Sequence, residues 1–237
     1  MTGLSKKDRL LTLAAAFLGW MFAGVTMSIM IPATRPAIQE FLSSGEIARN
    51  ARILEQSAEN WFSWYLIAFF MGAALGGVVL GTIGDRYGRV KAMGISILCY
   101  SSFTGLGYFT TSPEQLLLLR FIACMGIGGM WPSGVALVSE SWPEVSRPLL
   151  AGLIGTAANV GFLILGLLML GNPITSETWR WVLLFGATPI LLGLLVLFFV
   201  PESPRWRSEK EKPETEAKKS SLGEVFRPPL LKLTVVG

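Results

Sequence analysis

Six long apolar runs, at 10–32, 61–84, 92–111, 116–139, 149–170 and 181–200, organise the chain. Each approaches the roughly 20 residues that a helix needs to cross the hydrocarbon core of a bilayer, so the pattern predicts six transmembrane helices. The intervening turns are short and polar, apart from an external loop at 33–60 and a tail after Val200. The loop carries Glu40, Glu46, Arg49, Arg52, Glu55 and Glu59, the mixed charge of a short solvated helix. In the tail, SEKEKPETEAKKSS (208–221) is too polar and too charged to bury a core, and 207–228 reads as a flexible or surface-lying linker. The last residues, RPPLLKLTVVG, form a proline-rich helix start followed by apolar residues that stop after barely two turns. They read as the start of a seventh span at 229–237, or else as a short amphipathic tail. The six-helix unit itself is 1–206.

Composition agrees with the pattern. The 237 residues are 51% hydrophobic and only 15% charged, with a mean hydropathy of +0.53, which marks an integral membrane protein that is all α. Lys6, Lys7 and Arg9 precede the first run as they would in a secretory signal. The run is too long for one and lacks a convincing cleavage site, so it is expected to stay as the first helix.

Lys and Arg fall mostly on one side. With the N-terminus inside, Lys6, Lys7, Arg9, Arg86, Arg89, Lys91, Arg147 and the basic residues of 205–227 are cytoplasmic, and only Arg35, Arg49, Arg52 and Arg180 are outside. Cytoplasmic loops carry such an excess. The net charge of +4 therefore reflects topology in the cytoplasmic (inner) membrane, with the lipid bilayer as partner and no nucleic acid. Cys99 and Cys124 fall inside spans and read as small apolar packing. The chain has no His, hence no imidazole relay. No nucleophile–base pair, nucleotide loop or metal cluster is visible, so neither an enzyme nor a cofactor is expected.

Glycines at 72, 76 and 77, at 126, 128 and 129, and at 152, 155 and 161 are spaced to let helices approach closely. The densest charge is GDRYGR at 84–89. Here the second span is expected to end at Gly84, with the chain reversing through Asp85 to Arg89. As a turn, the segment reads as a positive-inside anchor.

GTIGDRYGRVK at 81–91 also resembles the loop signature between the second and third helices of the major facilitator superfamily. Three further matches follow in order: Arg120 with Gly126, Gly128 and Gly129; Glu140, Pro143 and Arg147 in ESWPEVSR; and PESPRW at 201–206, which is similar to the close of the sixth helix in sugar, organic-ion and organic-acid carriers. The resemblance implies the N-terminal six-helix half of a carrier, a missing C-terminal six-helix half as partner, and a small-molecule substrate handled by alternating access. It also implies that Gly84, Asp85, Arg86, Gly88, Arg89, Glu140, Arg147, Glu202 and Arg205 form a cytoplasmic gate, with Asp85 near a helix N-terminus where the dipole favours a carboxylate.

The same resemblance assigns the first and fourth spans to the substrate cavity near the midplane between halves. Trp20, Ala23, Thr26 and Met30 share one helical face, as do Arg120, Cys124, Ile127 and Trp131; Asn159 adds an amide. For the aromatic residues, helix packing or interfacial anchoring is the alternative, and Trp61, Trp64 and Tyr65 resemble an aromatic belt. Arg120 is the one ionisable side chain well inside a span. Such a group is costly there; it either binds an acceptor-rich ligand such as a carboxylate or snorkels to the outer interface.

The chain also departs from the family. Ala23, Thr26 and Met130 stand where proton-coupled carriers often have acids. Val135 and Leu137 replace the Pro and Tyr of the sugar-porter pattern, and AGLIGTAANVGFL lacks the proline of drug antiporters. An organic acid is therefore the expected substrate. A sugar, or a truncated membrane protein that transports nothing, is the alternative.

Overall fold

A computed structural model describes residues 4–42 and 50–211. Glu46, Arg49, most of the expected linker and the expected seventh span lie outside the described residues. The helices are α1 (Lys6–Ser28), α2 (Met30–Phe41), α3 (Ala51–Tyr87), α4 (Arg89–Leu106), α5 (Pro113–Ser141), α6 (Arg147–Gly171), α7 (Trp181–Ala187), α8 (Ile190–Phe199) and α9 (Pro204–Lys210), with a 3₁₀ turn at Gly107–Phe109. No strand occurs among the described residues.

The helix boundaries follow from local chemistry. α1 pauses at Ile29, three residues before Pro32, whose ring opposes the carbonyl of residue 28 and which donates no N–H to it. The expected loop is helical at both ends as a result: α2 continues the first span to Phe41. Asn50 caps α3 by accepting from the amides of Arg52 (3.1 Å) and Ile53 (3.4 Å). Pro189 splits the sixth span into α7 and α8 in the same way as Pro32.

Among the described residues, five stretches are long and apolar enough to cross a membrane: Lys6–Ser28, Ala51–Tyr87, Pro113–Ser141, Arg147–Gly171 and Trp181–Phe199. The remaining expected span, α4, is 18 residues long and begins with Arg89 and Lys91. It is less apolar because neighbouring helices, rather than lipid, surround it: Val90, Met93, Ser96, Ile97, Tyr100, Ser101 and Thr104 are all buried. Tyr100 donates to the Gly19 carbonyl at 3.0 Å and Ser101 to that of Ile97 at 2.6 Å, while the buried hydroxyls of Ser96 and Thr104 have no hydrogen-bond partner. A polar group at membrane depth costs least when it is satisfied inside the bundle, as Tyr100 and Ser101 are.

Helix contacts rest on the small-residue stripes. The buried positions of α3, Ala58, Tyr65, Ala68, Gly72, Gly76, Leu80 and Gly84, recur every three to four residues below Tyr65 and so form one face. Gly72 and Gly76 lie against the backbone of Phe121 and Met125, and Gly128 lies against Ala73, so α3 and α5 touch main chain to main chain. Gly24 meets Ala158 and Gly161 meets Met21, joining α1 to α6 in the same manner. Gly152 departs from the expectation: nothing lies within 4 Å of where its side chain would be. Tyr65 also departs, because it is buried and donates to the Pro113 carbonyl at 3.2 Å instead of joining an interfacial belt. The other face of α3, with Leu66, Phe70, Met71 and Val78, is exposed.

The bundle, Met1–Pro204, is one compact unit, and a second begins at Arg205. Within the latter, Arg205 Nε and Glu209 Oε1 are 3.0 Å apart.

Candidate functional site

At the α3–α4 end, the helix runs on through Asp85 and Arg86 to Tyr87, so the expected reversal from Asp85 to Arg89 shrinks to Gly88 alone. Gly88 has φ 121°, a conformation that L side chains avoid. A side chain there would collide with the Glu202 carboxylate, which arrives from the segment after α8. Glu202 accepts from the Val90 amide through both oxygens, at 3.1 and 3.2 Å, and from the Ser203 amide at 2.9 Å.

This corrects the expectation for Asp85. The carboxylate at a helix N-terminus is Glu202, on α4. Asp85 lies in the last turn of α3, where the dipole disfavours a negative charge, and it is held by Arg89. Arg89 also approaches Glu140, Nε to Oε1 at 3.7 Å, and Glu140 accepts from Ser203 Oγ. Thus Gly84, Asp85, Gly88, Arg89, Glu140 and Glu202 come together, tying α3, α4, α5 and the end of α8. Arg86 sits over the Tyr87 ring (5.5 Å to the centroid), and Arg147 is exposed in the first turn of α6. Neither joins the cluster. A neighbouring contact escaped sequence reading: Arg9 pairs with Glu144 and stacks on Trp142, whose indole donates to the Arg9 carbonyl at 3.3 Å.

The opposite end has its own polar knot, also unforeseen. Glu40, expected to be merely solvated, accepts from the Trp179 indole at 2.6 Å and pairs with Arg180. Arg180 also donates to the carbonyls of Tyr108 (2.9 Å) and Thr110 (2.8 Å), and Trp179 is fully buried. The extension of α1 into α2 brings Glu40 there, a step that apolar periodicity does not register.

Between the two ends runs a groove on the α1, α3, α5 and α6 face. One chamber of about 250 Å³ is lined by residues including Met27, Phe62, Tyr65, Phe69, Arg120 and Phe162. A second, of about 480 Å³, is lined by residues including Trp20, Met27, Phe69, Trp131, Gly155 and Asn159. Trp20 and Trp131 pair there with centroids 4.8 Å apart and planes at 50°. Of the expected cavity residues, Trp20, Arg120, Trp131 and Asn159 therefore line the groove. Ala23, Thr26 and Cys124 are fully buried and do not line it; the Thr26 hydroxyl bonds back to the Phe22 carbonyl at 3.0 Å. Met27, one position further along α1, lines both chambers together with Phe69. Met27, Phe62, Phe69 and Phe162 were indistinguishable in sequence from lipid-facing residues.

Arg120 does not snorkel. It is 4% exposed and reaches across to α1, donating from Nη2 to the Met27 carbonyl at 3.4 Å. Its Nε and Nη1 have no partner, and among the described residues it forms no ion pair. A guanidinium is not deprotonated in proteins, so the bundle holds a permanent positive charge with two free donor nitrogens beside an apolar groove. Such a charge is costly unless an anion compensates it.

Comparison with known proteins accounts for the architecture. The chain is similar to the Inner membrane metabolite transport protein YgcS of Escherichia coli, 37% identical over 139 residues covering 57% of this chain and 31% of the relative. It is similar to a Cis,cis-muconate transport protein of Acinetobacter baylyi, 36% identical over 153 residues covering 63% of this chain and 37% of the relative. Among solved structures, the partially occluded inward open xylose transporter XylE from E. coli superposes with a TM-score of 0.72 at 20% identity, over 87% of this chain and 52% of that one. The chain thus spans about a third of the length of those curated relatives, and about half of that structure. The family model of the Major Facilitator Superfamily matches residues 9–237, and this all-helical chain, with the fold of the N-terminal half, belongs to that superfamily.

Proposed function

We propose that the chain is the N-terminal half of a carrier that moves a small organic acid across the cytoplasmic membrane by alternating access. The observation that carries this reading is Arg120: a buried guanidinium, uncompensated among the described residues, on the wall of a groove that opens on one face of the bundle. An acid supplies the missing counter-charge, and the planar fork of donors suits a carboxylate. Relatives support the class, since they include a muconate and a 4-hydroxybenzoate transporter.

In this reading a second six-helix half closes over the groove, 207–228 links the halves, and 229–237 begins the seventh helix. The N-terminus and the Gly88 end are cytoplasmic. Arg89, Asp85, Glu140 and Glu202 hold that end together as part of a gate that meets the opposite half; Arg86, Arg147 and Arg205, all exposed, complete the gate's residues. The half has no acid deep in its helices, so any proton coupling arises in the other half.

The test is uptake by the complete carrier in proteoliposomes against a panel of labelled acids and sugars. Saturable uptake of an acid, lost in Arg120→Gln, supports the reading. Uptake of sugars alone, or acid uptake indifferent to Arg120→Gln, refutes it.

A further inference from the structure

Another hollow lies outside the Arg120 groove, on the seam between α3 and α5. It holds about 370 Å³ and is lined by residues including Trp64, Ile67 and Met71 of α3 and Glu114, Leu118 and Phe121 of α5. On both helices these positions keep to one helical face over seven residues, so the hollow is a straight furrow two turns long, about 10 Å. Ala68, 7% exposed, forms its floor. Trp64, Ile67, Met71 and Leu118 are half or more exposed along its rim.

The furrow shares no lining residue with the groove. At about 100° per residue, Trp64, Ile67 and Met71 point about 170° away from the α3 residues that line the groove, Phe62, Tyr65, Leu66, Phe69 and Ala73. A second half closing over the groove approaches from the other flank, and the furrow faces hydrocarbon.

We propose that the furrow binds a phospholipid with a primary ammonium headgroup, of the phosphatidylethanolamine type. An acyl chain lies over Ala68 and beside Phe121, and the ammonium pairs with Glu114. Glu114 is exposed in the first turn of α5, where the helix dipole favours a carboxylate, and it forms no ion pair among the described residues. Trp64 shares that end of the furrow, and tryptophan collects at the depth of the headgroups. Met71 and Phe121 then lie about 10 Å deeper, among the acyl chains. The site belongs to the bundle alone and is independent of what the carrier moves.

Charge selects among the occupants. The lining holds no Lys or Arg, so an anionic headgroup such as phosphatidylglycerol brings like charge to Glu114. A trimethylammonium headgroup brings the right charge but has no N–H to donate, whereas a primary ammonium forms a charge-assisted hydrogen bond. A helix of another chain needs small residues at the contact to approach closely. Here the one small lining residue, Ala68, is sunk beneath the bulky rim.

The experiment is photocross-linking of the 237-residue chain in phosphatidylcholine nanodiscs that contain a small fraction of one diazirine-acyl phospholipid. Its headgroup is ethanolamine, choline or glycerol on identical chains. Labelled peptides are mapped by mass spectrometry, and the exposed face of α8 at Leu191, Phe198 and Phe199 serves as a lipid-facing reference. The ethanolamine probe should label 64–71 and 114–121 about threefold more than the other two, as an exposed ion pair allows, and all three should label α8 equally. Glu114→Gln should remove the preference, Glu114→Asp should retain it, and Glu114→Lys should pass it to the glycerol probe. Glu114 is exposed, and unchanged labelling of α8 checks that each variant keeps the bundle intact.

Equal labelling of the furrow by the three probes, or an ethanolamine preference that survives Glu114→Gln, overturns the proposal. So does a furrow that no probe labels, the result expected if a second copy of the chain covered α3 and α5. The transport reading is unaffected by these outcomes, since it stands or falls on uptake by the complete carrier.

Discussion

Removing Glu202 tests which carboxylate organises the α3–α4 turn. In Glu202→Ala the Val90 amide loses its acceptor at 3.1–3.2 Å, and the Ser203 amide loses one at 2.9 Å. Val90 is 4% exposed, so water does not readily replace the lost group. A hydrogen bond to a charged acceptor contributes roughly 1.5 kcal/mol or more, and a carboxylate at a helix N-terminus adds roughly 0.3–1 kcal/mol. Ser203 can recover part of its loss, because Glu202 itself is half-buried. The expected destabilisation is therefore about 2 kcal/mol, or about thirtyfold in the unfolding equilibrium. Glu202→Gln, which keeps an acceptor oxygen but no charge, should lose about half of that.

The corresponding change at Asp85 should be small. Its side chain is 65% exposed and its partner Arg89 lies one turn away, an arrangement worth less than about 0.5 kcal/mol. Both variants can be measured by reversible unfolding in mixed micelles with increasing SDS, followed by tryptophan fluorescence. If Asp85→Asn costs as much as Glu202→Ala, or if Glu202→Ala moves the midpoint by less than about 0.5 kcal/mol, the account of this turn is wrong.

Three further outcomes follow from the same geometry. Gly88→Ala should lose about 1–3 kcal/mol in the same unfolding assay, because φ 121° is strained for alanine and the new methyl meets the Glu202 carboxylate. Gly76→Val should separate α3 from α5, since the Met125 backbone occupies the space a side chain needs; a cysteine pair across that interface should then cross-link more slowly than in the parent chain. Ala23→Asp and Thr26→Asp, substitutions that would restore family acids, should lower the yield of inserted protein. Both positions are fully buried behind the groove, and a carboxylate at membrane depth costs about 2.5–3.5 kcal/mol. Normal insertion together with new pH-dependent uptake in the complete carrier would show that these positions reach the cavity after all.

Apolar run length was enough to reveal the bundle, because a bilayer imposes one length on every helix that crosses it and leaves backbone polar groups no partner but the helix itself. Small-residue spacing was enough to mark most of the glycines that meet another helix, since only glycine and its nearest relatives let main chains touch, but not which helices they join. Arg120 stood out for the same reason: an isolated charge inside an apolar run has no ordinary explanation.

What the sequence by itself left open was decided by partners distant in the chain. Glu202 and Val90 are 112 positions apart, so helix periodicity could not reveal that Glu202, rather than Asp85, caps α4. Glu40 and Arg180 are 140 positions apart, and their pairing required α2 to extend the first span beyond Pro36. In the groove, one helical face contains both Trp20 and Ala23, yet Trp20 reaches the cavity while Ala23 is sealed beneath neighbouring helices. A helical face spans more than 100°, and only the packing of adjacent helices determines which edge of it stays open.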